Sequence, residues 1–267
     1  MSEILRDLAA LYGDALRETL GSIRRAWIGV VAIYLYAMVL QLVGGVAGAL
    51  PIPVLAGLFI GVADAFAVGA LLALVQQAIG GRALGLADVR DALGAYFWDV
   101  VSVGFMLWLP FMLLAGLAPP LVLASVSLLA AVFLNPLPEV IYQVRTTSPV
   151  ENLAESARFV QQQWIEWFLP IVLVAAPLGS FLFFTSADAG SLLRGGLSFG
   201  RFLLLPTLLV LRATELLGLP PSAAAVGVAV GTPLLTFAVL LFRGHLFKTL
   251  AGSSRRQRAF RRRIGRG

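Results

Sequence analysis

The chain has 267 residues, of which 59% are hydrophobic and only 13% charged, and its mean hydropathy is +0.91. A soluble fold of this length cannot hide so much apolar side chain, so lipid is the expected solvent, and an ordinary soluble enzyme or binding domain is excluded. With no cysteine there are neither disulfides nor thiolate metal sites, and one histidine, His245, excludes a multi-histidine metal site or a haem held by two histidines; no cofactor is expected.

The net charge of +6 belongs to one end of the chain. Arg255, Arg256, Arg258, Arg261, Arg262, Arg263 and Arg266 supply seven positive charges, so everything before them sums to −1. A pI near 10.5 can signal nucleic acid. Here the basic charge follows a lipid-compatible body, and the tail reads as a cytoplasmic anchor on anionic headgroups. Membrane lipids are the expected partners, together with a protein partner or further copies of the chain; nucleic acid is not.

Residues 1–26 form the first element. Ile4, Leu8, Leu11, Tyr12, Leu16, Leu20 and Ile23 recur at helical spacing, which predicts an amphipathic helix lying along the membrane surface. Crossing the hydrocarbon takes ~20 apolar residues. Six stretches qualify, at about 27–50, 54–79, 97–117, 121–142, 164–184 and 223–247. The first is too long, and too far from the start, to be the apolar part of a signal peptide. Turn chemistry separates the stretches: Pro51 and Pro53, Gly80 and Gly81, Pro119 and Pro120, Ser148 and Pro149, Pro220 and Pro221. The predicted organisation is thus an amphipathic helix (1–26), a six-span domain (27–252) and a basic tail (253–267).

Arginine asymmetry orients the spans. Arg6, Arg17, Arg24 and Arg25 precede span one, Arg82 and Arg90 follow span two, and Arg145 and Arg158 follow span four, whereas the connections after spans one and three carry no charge. Both termini are therefore expected in the cytoplasm. Residues 197–219 resist this scheme, because Arg201, Arg212 and Glu215 interrupt an apolar run. A charge at the bilayer centre costs ~2.5–3.5 kcal/mol on insertion scales. The stretch is read as a helix on, or partly re-entering, the outer face; a seventh span is the alternative.

Amphipathic lead-ins precede the third and fifth spans as well, through Leu86, Val89, Leu93 and Tyr96, and through Val150, Leu153, Ala157, Val160, Trp164 and Trp167. Ser148 and Glu151 bracket Pro149 as a capping box. Trp27, Trp98, Trp164 and Trp167 fall at the predicted cytoplasmic interface. The fold class is therefore all-α and integral to the membrane, with six transmembrane helices, interfacial helices and a three-fold hairpin repeat, unless the lead-ins reflect only the polar start that any membrane hairpin needs.

Asn135-Pro136-Leu137-Pro138-Glu139, followed by the run from Glu151 to Val160 (ENLAESARFV) and by Trp164, resembles a broad group of six-span bacterial membrane proteins. That group includes the YciC-like proteins and the membrane domain attached to some glycerophosphodiester phosphodiesterases. The resemblance covers the span layout over most of the chain and is most specific at 135–168. It implies the fold and an inner-membrane location, and it carries no catalytic motif.

Two intramembrane polar features stand out. Asp64 is the one carboxylate deep in span two, where it can carry a proton, bind a cation, or merely hydrogen-bond a neighbour. Asn135 to Glu139 breaks span four with two prolines. This is either a binding-site break of the transporter kind or a kink that brings Glu139 to the headgroups. Glycines four apart, Gly44 and Gly48, Gly57 and Gly61, Gly227 and Gly231, are expected to pack helices. No serine–histidine–acid set is expected, because no carboxylate lies near His245 in sequence, and no phosphate-binding glycine loop occurs. The sequence thus predicts a non-catalytic inner-membrane scaffold or accessory subunit. Its rivals are a transporter or channel using Asp64 with Asn135 and Glu139, and a lipid-acting enzyme with a polar cluster of Arg194, Arg201, Arg212 and Glu215.

Overall fold

The computed structural model describes residues 2–144, 148–175 and 197–252. Among these every regular element is a helix. In chain order they are α1 (Ser2–Arg25), α2 (Ile28–Gly48), α3 (Pro53–Ile79), α4 (Leu86–Asp91), α5 (Phe97–Leu117), α6 (Pro120–Phe133), α7 (Leu137–Gln143), α8 (Pro149–Ala175), α9 (Phe199–Leu216) and α10 (Pro221–Ala251).

Among the described residues five stretches are long and apolar enough to cross a membrane: α2, α3, α5, the combined Pro120–Gln143 and α10. They match five of the six expected spans to within a few residues. The expected fifth span, 164–184, coincides with the second half of α8 as far as Ala175 and otherwise lies outside the described residues. Proline sets several of the starts, standing in the first turn of α3, α6, α7 and α10, where a missing N–H costs nothing.

The centre of the molecule is α3. Its second half, from Ala65 to Ile79, is buried almost all round, against α2, α5, α7 and α10. Small residues allow this. At Gly69 an added Cβ would stand 3.0 Å from the backbone at Tyr96 and Phe97, and at Gly244 it would run into Ile79 and the Tyr142 hydroxyl. Outward faces remain apolar and exposed, for example Val39, Leu42 and Val46 on α2 and Phe105, Met112 and Leu113 on α5. Lipid is the solvent such faces suit.

The predicted glycine contacts divide. Gly231 meets Val210 and Gly227 meets Thr214, which aligns α9 and α10 as an antiparallel hairpin turning at Gly218 (φ 63°). Gly44, Gly48, Gly57 and Gly61 have nothing within 4 Å of an added Cβ, so they do not pack helices among the described residues. The stretch at 197–219 is helical and lies along α10, with Arg212 and Glu215 paired at 2.6 Å near its exposed end.

The three lead-ins are unlike one another. α1 has 24 residues and α8 has 27, but the second lead-in contains only the six-residue α4. The buried stripes also differ from those expected. α1 buries Leu11, Ala15, Thr19 and Ser22 and leaves Leu16 and Leu20 exposed, while α8 buries Asn152, Ser156, Gln163 and Glu166 beside Phe159, Val160 and Trp167. Val150 and Trp164 point outward. The buried faces are those that pack on other helices, α1 on α10 and α8 on α5, α6 and α7. Trp27, Trp98 and Trp164 are exposed as an interfacial ring requires, but Trp167 is buried.

Candidate functional site

The proline break between α6 and α7 carries a cluster of buried polar groups. Pro136 and Pro138 offer no N–H, so carbonyls of the preceding turn need other donors. Asn135 N–H serves Val132, Leu137 N–H serves Leu134, and the Ser156 hydroxyl of α8 donates to Phe133 at 2.9 Å. Arg243 of α10 donates to the Asn135 carbonyl at 2.7 Å. Every carbonyl from 132 to 135 is thereby satisfied.

The same arginine binds Glu139. Its Nε donates to Oε1 at 2.8 Å and its Nη2 to Oε2 at 3.0 Å, a two-pronged ion pair. Glu139 is fully buried. The break turns it inward, because α10 supplies a guanidinium at the same level. The indole N–H of Trp167 donates to Asn135 Oδ1 at 2.8 Å, and its ring lies under the Arg243 guanidinium, 5.1 Å away. Phe159 and Phe247 close this wall, stacked at 4.4 Å. Sequence reasoning placed Trp167 in the interfacial belt; with Arg243 it is part of this cluster.

Asp64 serves a different purpose. Its Oδ1 accepts the N–H of Phe199 at 3.0 Å. Phe199 is the first residue of α9, whose own cap residue, Ser198, makes no side-chain cap. Asp64 thus caps, from α3, a helix 135 residues away, where the positive end of the helix dipole favours a carboxylate. The structure does not join Asp64 to Asn135 and Glu139. Gln76, which binds the Tyr142 carbonyl next to the break at 2.7 Å, lies twelve residues beyond Asp64, or ~18 Å along α3.

A third cluster was missed altogether. Ser22 Oγ lies 3.0 Å from His245 Nε2, and Glu18 Oε2 lies 2.9 Å from His245 Nδ1. Serine, histidine and glutamate side chains do come together, contrary to expectation, since one turn of α1 presents Glu18 and Ser22 to a histidine 223 residues beyond Ser22, but His245 Nδ1 is not hydrogen-bonded despite its 2.9 Å approach to Glu18. Ser22 is only 1% exposed, however, on an unbroken helix, so no substrate reaches its hydroxyl while α1 is docked. The set fastens α1 to α10. Tyr12, one side over, donates to the Glu166 carbonyl of α8 at 3.0 Å, and its burial, followed by the Glu166 charge, pushes its pKa up from 10.0 to about 12. The signal available in sequence was helical spacing alone: Glu18 and Ser22 are four apart on one face.

Among the described residues no group of three or more histidine, aspartate or glutamate side chains is arranged to hold a metal. The tail arginines Arg255, Arg256, Arg258, Arg261, Arg262 and Arg263, and Arg194 of the expected outer cluster, lie outside the described residues. These features define a class, an all-helical protein with several helices able to cross a membrane and an interior polar network directed at itself. Comparison with protein-family models, curated proteins and solved structures finds no match to this chain.

Proposed function

We propose that the chain is a non-catalytic, multi-pass protein of a bacterial inner membrane, with both termini cytoplasmic, acting as a scaffold or accessory subunit of a membrane complex or of an envelope lipid process. One observation carries this reading: the intramembrane polar groups that transport would use are consumed internally. Asp64 caps α9, Glu139 is held by Arg243, and Asn135 is held by Trp167 and Arg243. A carrier keeps such groups facing a water-filled path. The arginine distribution supports the orientation, and the basic tail suits anionic lipid. A protein partner, or a second copy, belongs to this reading.

Two measurements test it. A reporter active only in the periplasm, fused after Gly267, should stay silent; a strong signal rejects the cytoplasmic C-terminus. Asp64→Asn keeps an acceptor for the Phe199 N–H but cannot exchange a proton. Expressed at the parental level in a strain lacking the gene, it should restore function in full. A well-folded variant without rescue overturns the scaffold reading in favour of a proton- or cation-coupled carrier.

A further inference from the structure

A cleft of about 720 Å³ opens where α3 ends and α5 begins, roofed by α4 and the turn at Gly80. Its volume lies in the range of small-molecule sites, roughly 300–1,000 Å³. The inner wall is rigid. Gln76 is held at both ends of its carboxamide, donating to the Tyr142 carbonyl and accepting from the Tyr96 hydroxyl, each at 2.7 Å.

The charged lining is less committed. Asp99, in the first turn of α5, has no ion-pair partner among the described residues. Among the described residues Asp91 pairs with its neighbour Arg90, at 3.2 Å, and both side chains are largely exposed to solvent. Such exposed pairs contribute little. Arg82 reaches Asp88 at a loose 3.6 Å and is itself exposed, so most of its donors are open. The cleft therefore offers two carboxylates and a guanidinium, the complement of a zwitterion carrying an ammonium and an anion a few bonds apart.

Location narrows the ligand. Trp98, beside Asp99, is 75% exposed at the start of a helix apolar enough to cross the membrane, which places the mouth of the cleft at headgroup level. Next to it Phe66 and Phe97 stack at 4.2 Å, with Phe66 partly exposed, an apolar bed beside the polar one. A zwitterion that brings acyl chains to such a place is a phospholipid. A primary ammonium donates three hydrogen bonds to carboxylates, whereas a trimethylated one donates none. A serine headgroup adds a carboxylate that the two aspartates repel.

We propose that this cleft binds the headgroup of a phosphatidylethanolamine-type lipid, with its ammonium between Asp91 and Asp99 and its phosphate on Arg82. This rests on the reading of α3 and α5 as membrane-spanning, which resistance of the membrane-bound protein to alkaline carbonate extraction tests separately.

The test uses the full chain purified in detergent and titrated with short-chain phosphatidylethanolamine, phosphatidylcholine and phosphatidylglycerol. Thermal stabilisation and lipid retention in native mass spectrometry are followed. Phosphatidylethanolamine should act at about tenfold lower concentration than the other two, the size expected of charge-assisted hydrogen bonds. Asp91→Asn with Asp99→Asn should abolish that preference. Arg82→Gln, at an exposed position, should weaken phosphatidylethanolamine and phosphatidylcholine alike. Equal response of the parent protein to all three lipids overturns the proposal whatever the variants do. Free phosphoethanolamine binding as tightly as the lipid overturns the lipid as its source. Failure of the carbonate test, by contrast, condemns the membrane reading itself.

Discussion

Arg243 holds both carboxylate oxygens of Glu139, at 2.8 and 3.0 Å, across 104 residues of chain. The side chain of Glu139 is 1% exposed and that of Arg243 19%, so neither can fall back on water if the other is lost. Removing one member of such a pair costs about 3–5 kcal/mol, because the survivor is left charged and buried. Glu139→Gln and Arg243→Met should each destabilise the protein on that scale in mixed-micelle unfolding. The combination of Glu139→Gln with Arg243→Met should cost less than the sum of the single changes. Simple additivity would show that the two residues act independently.

Asp64 caps α9 through one hydrogen bond, to the Phe199 N–H. Loss of a helix cap costs about 0.5–2 kcal/mol. Asp64→Leu should lose this much, and hydrogen exchange should rise first in the opening turn of α9. Asp64→Asn should stay close to the parent in stability. Equal loss in both variants would mean that the charge, rather than the acceptor, is what α9 needs.

Glycine positions differ by neighbourhood, which makes a paired test. At Gly244 a methyl group meets Ile79 and the Tyr142 oxygen, the latter at 2.6 Å, inside a packed junction of α3, α7 and α10. Gly244→Ala should cost about 1–3 kcal/mol by overpacking. Gly57→Ala meets nothing within 4 Å and removes backbone freedom from a helix, so it should be neutral or stabilising by up to ~1 kcal/mol. A large loss at Gly57 would reveal a close helix contact made by a partner or a second copy.

Tyr12 makes stability depend on alkaline pH. Its folded pKa of about 12 exceeds the ordinary 10.0, because burial and the nearby Glu166 disfavour the phenolate. The folded state therefore holds this proton more tightly than the unfolded one. The associated stability is fully present below pH 10 and is lost as pH rises from about 10 to about 12. The difference in melting temperature between the parent and Tyr12→Phe should shrink across that window. A difference that stays constant with pH would mean that the phenol is not titrating in the folded protein.

Much of the helix inventory was legible because its causes are local. A run of some twenty apolar residues must be a helix to satisfy its own backbone in lipid, and proline and glycine stop it where their N–H or φ demands. Hence the ends of α5 coincide with the expected 97–117, and the break at Asn135 to Glu139 falls where two prolines put it. What that break does was not legible. Nothing local tells Glu139 to turn inward; Arg243 decides it, and Arg243 arrives only when α10 packs against α7. A usable hint did exist, a lone glutamate and a lone arginine near the same ends of two apolar helices, which low dielectric forces to find each other. The three glycine pairs make the same point. They share one spacing, yet among the described residues only Gly227 and Gly231 meet a facing helix. Ser22 and His245, 223 residues apart, are joined only because α1 lays its Leu11–Ala15–Thr19–Ser22 face on α10. Apolar length and proline position are properties of a segment and are written in it. The partner of a buried charge is a property of packing, since every member of the set must be near before any of them is stable.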